Sequence, residues 1–507
     1  VRRGICYAGE AERELRPGNS ISMVTARSCN HRSYIYQFLP LNPIMTGVQS
    51  QTCFTPCSHN EYISLHDRHL CDTPMYDEVA VRRAFTKARA ALPLKHVVMA
   101  TEATILSIKT SVKRRIYERA YHDLRNTGVT KRMCGVKAFV KKEKADTTKE
   151  AGRLTTPRLI QHRDERYVAR LSQYLYPIEK ALFHERDPDK IYFAKCHNSF
   201  ARARQLRHMS SRFERPYYVM MDHSRFDAHQ HAEMLRCEHS IYMSYYPGNF
   251  ELRDLLKAQL YNVGMTHNKL LYVSSGGRMS GEYNTSLGNS LNNLAILEHA
   301  FAGVRHMVYI DGDDSVTVIE ESDRWIVPLL LPRCEELGMT TKLEDETDTF
   351  ESITFCQCRP VELAPGTWRM VRHPERVVNR AVHSVNVYPG KGWLRLCRAI
   401  GECEYACNTG VPILQCFAEY LIRHARGAKA LKLNDYDEVR IHYEPKPWKS
   451  FEVLPSARVS FEKAFGIPIG VQYAVERYLS NADHSTFINA LVNGIDPGVY
   501  VGPAYPD

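Results

Sequence analysis

The sequence contains no run of 18 apolar residues, so no transmembrane helix is expected. Its opening stretch, VRRGICYAGEAERELRPG, lacks the apolar centre of a secretory signal peptide. The first residue is not Met, and we expect a processed, read-through or trimmed product. Internal repeats and low-complexity tracts are missing, which argues against solenoid and fibrous classes. There are 15 cysteines, but the count is odd and they are scattered, so free thiols in a reducing compartment are expected rather than a disulfide scaffold. Neither sign of charge dominates. A net +10 suits a polyanionic partner without requiring one. With 44% hydrophobic and 24% charged residues, the 507-residue chain reads as globular, with two to four domains or one large interleaved unit.

The distribution of charge says more than its sum. Basic residues gather at 113–115, 131–132 and 137–144, and acids at 311–314 and 344–348. Basic walls around an acidic point suggest phosphate held near metal-binding carboxylates. The acidic point is HMVYIDGDDSVTV (306–318), with Asp311, Asp313 and Asp314 within four residues. Residues 306–310 and 315–319 are strand-like, and a Gly-Asp pair between them predicts a hairpin turn. Two carboxylates ~4 Å apart repel by ~4 kcal/mol at an effective dielectric of 20. A divalent cation reverses that sign, whereas a plain solvated turn needs no such crowding.

Residues 1–75 read as loop-rich. Within them, CFTPCSHNEYISLHDRHLC (53–71) offers Cys53, Cys57, His59, His66, His69 and Cys71 as candidate ligands for a structural Zn²⁺. No spacing matches a standard zinc knuckle, so free thiols and imidazoles in loops are expected ahead of a metal there. A helical pattern follows over 78–125, then strand, basic loop and strand over 135–160, and a helix starting at 166. YYVMM (217–221) is a short apolar strand ending at Asp222, with Asp227 five residues on. Helices are expected near 227–246 and 285–301. Gly276, Gly277 and Gly281 precede Thr285 and Asn289, which share one helix face. From about 380 the pattern is mainly helical, ending in a Gly/Pro-rich tail.

The order of these pieces matters more than any one of them. A strand with an acid, a helix, a glycine loop with its helix, then an acidic hairpin is the order of a βαββ palm. The chain resembles the viral RNA-dependent RNA polymerases, most closely the tombusvirus-like group. DHSRFDAH (222–229) looks like motif A, SGEYNTSLGN (280–289) like motif B, and GDD (312–314) like motif C. FVKKEK and TPRLIQHRD look like motif F, LGMTTKLE like motif D, and FCQCRPV with TWRMVRHP like the segment holding motif E. These cover roughly 135–375.

The resemblance implies an α/β (α+β) right hand. Residues 1–78 form an extension linking fingers and thumb, and 79–216 the fingers with motif F. Residues 217–378 form the palm, with a fingers insertion at about 247–275, and 379–507 a mainly helical thumb. It implies RNA-templated synthesis from rNTPs in replication of a positive-strand viral genome, with two Mg²⁺ or Mn²⁺ ions on Asp222, Asp313 and Asp314. Asp227 and Asn289 are expected to read the ribose 2′-hydroxyl, with Ser280 and Thr285 positioning them. Lys141, Lys144 and Arg158 are expected to meet the triphosphate, and Lys342 to protonate pyrophosphate. Template and nascent RNA are the implied partners, with viral or host replication proteins. The implied setting is the host cytoplasm, at membrane-associated replication complexes reached through a partner or a segment beyond this chain.

Two positions depart from the family pattern. Asp311 stands where relatives often carry a neutral residue, and Ala228 where they commonly carry Gln. Two other functions remain open. A reverse transcriptase shares the paired aspartates, but usually places a bulky residue near the position of Asp227. A catalytically silent RNA-binding scaffold is disfavoured by the intact acids. An EF-hand loop is excluded, because Ser322 stands where its last ligand belongs. Asp311 has no role in this scheme. We therefore predict that Asp311→Asn keeps most nucleotide incorporation while Asp313→Asn abolishes it, measured side by side; equal losses would mean that the metal-facing acids have been misassigned.

Overall fold

The computed structural model describes all residues except 7–10, 24–28, 30–32, 41–50, 94–95, 147–154, 433–450 and 496–507. The middle of the basic loop and the Gly/Pro-rich tail therefore lie outside the described residues. Strands β1 (Pro216–His223), β2 (His306–Asp311), β3 (Asp314–Glu320) and β4 (Thr341–Thr347) form an antiparallel sheet in the order β2-β3-β1-β4. β1 has a strand on each side, and both its faces are covered, which is why its YYVMM run does not alternate with polar residues. Tyr217, Val219 and Met221 join one core, and Tyr218 and Met220 join another across the sheet.

The β2–β3 hairpin closes through Gly312 and Asp313 alone, with Asp311 paired to Asp314. Gly312 sits at φ +68°, a region that glycine enters without strain. Glycine first in a two-residue loop matches a type II′ turn, whose twist suits the flanking strands. β3 pairs with β1 so that Thr317 faces Val219. Continued along the two strands, the same register puts Asp314 across from Asp222.

After β1 the chain makes a 3₁₀ turn at Phe226–His229 and enters helix α1 (Ala232–Tyr245). Helix α2 (Thr285–Ala300) precedes the hairpin and is buried nearly all round, so its apolar residues keep to no single face. Leu287, Leu291 and Leu294 pack with Val219, Met221, Ile310 and Ile319. Each such side chain contributes roughly 1.5–3 kcal/mol. On the opposite face Tyr218, Met220, Tyr309 and Val316 meet Phe350, Phe355 and Met370. Met370 comes from a second hairpin, Cys358–Ala364 with Thr367–Arg372.

A five-stranded sheet runs in the order Ser20–Met23, Leu270–Ser275, Tyr261–Thr266, Val136–Val140 and Leu159–His162. Segment 247–275 thus adds a hairpin to the two strands that flank the basic loop. A third sheet joins Arg2–Arg3, Tyr34–Gln37 and His383–Ser384, bringing the N-terminal stretch to the start of the helical C-terminal region. That region holds Gly392–Asn408, Leu414–His424, Pro455–Phe465, Ile469–Asn481 and Ser485–Val492, around Trp393, Phe417, Leu421 and Phe461. No described helix is long and apolar enough to cross a membrane.

The N-terminal 75 residues are less loop-like than expected. Ser58–Ser64 is an α-helix that continues into a π-helical turn, Leu65–His69. Its inward residues are polar apart from Ile63, which hides it from a hydrophobic-period search. Asn60 Nδ2 donates to the carbonyls of Ile5 (2.9 Å) and Thr55 (2.7 Å), and buried Glu61 accepts from the Asn268 N–H (3.2 Å).

Under α2 lies a fully buried Arg278–Glu238 ion pair; Glu238 also accepts from Tyr242 (2.7 Å) and from Asn284 and Asn292 on the loop and helix. A Cβ at Gly288 would strike both Arg278 and Glu238. Gly288→Ala is therefore expected to cost about 1–3 kcal/mol by overpacking, read as a lowered apparent melting temperature; an unchanged value would mean that this ion pair yields freely.

Candidate active site

Asp222 lies near the end of β1, Asp313 in the hairpin turn, Asp314 at the start of β3 and Asp227 in the 3₁₀ turn. All four come together in one cleft, close enough to act on one another's charge, with Asp222, Asp313 and Asp314 exposed to solvent. Burial, and then the charges of Asp227, Asp222 and Asp311, push the Asp313 carboxyl up to about 6. Burial followed by Asp313, Asp311, Glu344 and Asp222 pushes Asp314 up to about 7. Burial also raises Asp227. Glu344 on β4 is raised by burial and by Asp222, making it a fifth acid at the edge of the group.

Neutral groups on α2 hold this crowd in place. Asn289 Nδ2 donates to Asp227 Oδ1 (2.9 Å). The Gly312 N–H donates to Ser290 Oγ (3.0 Å). Asn293 Nδ2 donates to the carbonyls of Gly312 (3.1 Å) and Asp313 (3.0 Å). Asn293 Oδ1 also meets His223 Nε2 (3.2 Å), tying the strand that carries Asp222 to the turn that carries Asp313. Burial holds His223 down at about 4, so it is neutral. Ser290 and Asn293 are absent from the sequence-based candidates. Their signal was present in SLGNSLNN, where Asn289 and Asn293 are four apart on one helix face.

Ser280 and Thr285 brace the loop instead of facing the acids. Ser280 Oγ donates to the Leu159 carbonyl (2.9 Å), and Thr285 Oγ1 donates to the Met279 and Glu282 carbonyls (3.2 and 3.0 Å). The close backbone approach expected of the glycines is made, but to protein. The Gly281 N–H donates to the Gln161 carbonyl at 2.7 Å, where a Cβ would clash.

On the basic side, Arg158 makes a bidentate ion pair with Glu143, which Lys141 also approaches (3.3 Å). Burial opposes Glu143's charge, yet Arg158 and then Lys141 hold its carboxyl below the usual range. Arg158 is close enough to feel Asp313 and Asp227. Lys144 is placed elsewhere, and this corrects the expectation for it. Its ammonium donates to the carbonyls of Arg380 (2.6 Å) and His383 (2.9 Å), and Arg380 donates back to the Lys144 carbonyl (2.8 Å). Arg68, on the π-helical turn, was not foreseen. It interacts with Asp227, Glu143 and Arg158, so it reaches the cleft from the N-terminal segment. Lys342 is exposed on β4 and lies directly across from Asp222.

Asp311 is not idle. It forms an ion pair with Arg202 (2.5 Å), whose guanidinium also lies over Phe355. This makes Asp311 a support for β2, although its charge still reaches Asp313 and Asp314.

The candidate zinc ligands of 53–71 are divided. His69 accepts from the Leu159 N–H (3.4 Å) and bonds Gln161 (3.2 Å), and burial holds it down at about 3. His66 pairs with Asp67 (2.9 Å), Cys71 accepts from Arg225 (3.4 Å), and Cys53 donates to Ser33 (3.7 Å). Cys57 and His59 alone of the six join a common donor cluster among the described residues.

The family profile described as viral RNA-dependent RNA polymerase matches residues 62–486. The chain belongs to that family. It is 32% identical over 415 residues to the RNA-directed RNA polymerase of Tomato bushy stunt virus (strain Cherry), covering 78% of this chain and 49% of the relative. It is 32% identical over 405 residues to that of Tobacco necrosis virus (strain A), covering 75% and 54%. To that of Red clover necrotic mosaic virus it is 30% identical over 407 residues, covering 76% and 52%. The chain spans about half the length of these curated relatives. Within this polymerase family match lie Asp222, Asp227, Asp313 and Asp314.

The raised Asp313 and Asp314 groups keep protons in the folded chain that the unfolded chain has lost. Their contribution to stability is full below about pH 4 and is lost as pH rises through about 6 to 7. Without added divalent ions, Asp314→Asn should therefore melt higher than wild type at pH 8, the gain shrinking toward pH 4. A gain that does not change with pH would contradict the crowding.

Proposed function

We propose that this chain is the catalytic part of an RNA-dependent RNA polymerase that replicates a positive-strand viral genome. The observation that carries the proposal is the meeting of Asp222, Asp313 and Asp314 on neighbouring strand ends, inside the family match, with the Asp227–Asn289 pair beside them. In this reading the β1–β4 sheet with α1 and α2 is the palm. The five-stranded sheet belongs to the fingers, the helices after 379 form the thumb, and residues 1–78 link thumb to fingers.

The acids fit hard divalent cations. None of Asp222, Asp313 and Asp314 takes part in an ion pair among the described residues, and their oxygens are the donors that Mg²⁺ or Mn²⁺ prefers. Two such ions, when bound, would supply activation of the 3′-hydroxyl and neutralisation of charge on the transferred phosphate. Arg158 and Lys141 face the cleft already paired to Glu143. A triphosphate would compete with Glu143 for them, so the same carboxylate keeps them aligned between turnovers. The Asp227–Asn289 pair offers both an acceptor and a donor where a ribose 2′-hydroxyl would be read. Lys342 stands across from Asp222, placed to give a proton to the leaving pyrophosphate.

The polar Asp227–Asn289 pair favours a ribonucleotide over a deoxynucleotide site, against the reverse-transcriptase reading. The test is template-dependent incorporation of rNTPs and dNTPs by wild type, Asp313→Ala and Asp227→Ala. Wild type should prefer rNTPs, Asp313→Ala should fall to background, and Asp227→Ala should narrow the preference. Full activity in Asp313→Ala overturns the assignment, and no incorporation by wild type on any template favours the scaffold.

A further inference from the structure

Away from the cleft, four donors come together from three separated segments. The sulfurs of Cys6, Cys29 and Cys57 and a ring nitrogen of His59 all lie within 4.8 Å of one another. We propose that these residues form a structural Zn²⁺ site with three thiolate ligands and one imidazole.

The geometry is close to that of a bound metal. Zinc–sulfur bonds of ~2.3 Å at a tetrahedral centre place sulfurs roughly 3.8 Å apart, and Cys6 Sγ lies 3.6 Å from Cys57 Sγ. The His59 Nδ1 atom is buried with no hydrogen-bond partner. An orphaned buried ring nitrogen is unfavourable, and a bond to metal removes that penalty. We assign Nδ1 as the fourth donor. All four ligands come from protein, which is the closed arrangement of a structural site. Binding ionises the three thiols, and their protons pass to solvent. Without metal the cluster resists ionisation: burial and then the neighbouring Cys29 and Cys57 push Cys6 up to about 12.

The surrounding backbone shows what the ion would secure. The Gly4 N–H donates to the Ser33 carbonyl (2.7 Å), the Ile5 N–H to Cys53 (2.8 Å), and the Thr55 N–H back to Ile5 (2.9 Å). Residues 1–6, Cys29, Ser33 and the start of the Ser58–Ser64 helix therefore converge on one point. The helix that the metal anchors leads into the turn bearing Arg68, so the site fixes a side chain of the cleft from a distance.

The test is metal content and ligand-field spectroscopy of the full chain, purified under reducing conditions. Wild type should carry about one zinc per chain. After exchange, Co²⁺ should give the intense visible bands of a tetrahedral ion with thiolate charge transfer. Cys29→Ser and His59→Ala should each lose most of the metal, whereas Cys53→Ser and Cys71→Ser, from the same region, should keep it. Absence of zinc and of a tetrahedral Co²⁺ spectrum in wild type overturns the proposal without relying on any variant. Full metal content in both Cys29→Ser and His59→Ala also overturns it. So does a mass short by two hydrogens, mapped to a disulfide among Cys6, Cys29 and Cys57.

Discussion

Mutual repulsion of carboxylates is the constraint around which the rest of the molecule is arranged. Asp222, Asp227, Asp313 and Asp314 are brought together, and their charges act on one another. Among the described residues no salt bridge to these acids relieves that repulsion. The fold holds them through uncharged groups on one buried helix: Asn289 donates to the Asp227 carboxylate, Asn293 donates to the Gly312 and Asp313 carbonyls, and Ser290 Oγ accepts from the Gly312 N–H. Cations in direct contact would fill the place that a metal and a phosphate need. Neutral groups fix position, while cations such as Arg158 and Arg68 act from outside direct contact. That is why a helix at the centre of the largest core carries so many amides: Asn292 continues inward to Glu238, and through it to Arg278.

Much of this was legible in the sequence where the signal is local. The strand ending at Asp222 and the Gly-Asp hairpin follow from apolar runs and turn chemistry, and the helix bearing Asn289 from its start after the glycine loop. The β1–β4 order follows from the succession of motifs. What stayed hidden depends on partners far along the chain. Asp311 finds Arg202, 109 residues away, and no local pattern announces that pairing. Lys144 sits in a basic run that reads as phosphate-binding, yet its ammonium meets carbonyls 236 and 239 residues on. Ser290 and Asn293 act on backbone atoms, which have no sequence identity to match. The helix at Ser58–Ser64 was concealed because its buried face is mostly polar. Attention to 53–71 as a zinc window could not reach Cys6 and Cys29, which only the tertiary structure brings to Cys57 and His59.

The N-terminal residues change in significance accordingly. As sequence they look like a loose leader. In the structure they supply strands to three different sheets, a buried helix and a cation at the cleft. Arg16 donates to the Ala228 carbonyl (2.9 Å) and to the Ser275 carbonyl (2.5 Å), linking the turn after β1 to the glycine loop. Stability of the acidic centre and integrity of the first 75 residues are therefore coupled.

The reciprocal bonds between Lys144 and residues 380–383 have a topological consequence. From the β1–β4 sheet, protein runs through the glycine loop to the strand Leu159–His162 and on to Lys144. It crosses to Arg380 and returns through the hairpin Cys358–Arg372 to the same sheet. That path is a closed circuit. A long polymer can occupy the inside of a circuit only by feeding in one end, or by waiting for the Lys144 clasp to part. For the polymerase proposed above, strand loading from an end and opening of the clasp would then be distinct routes.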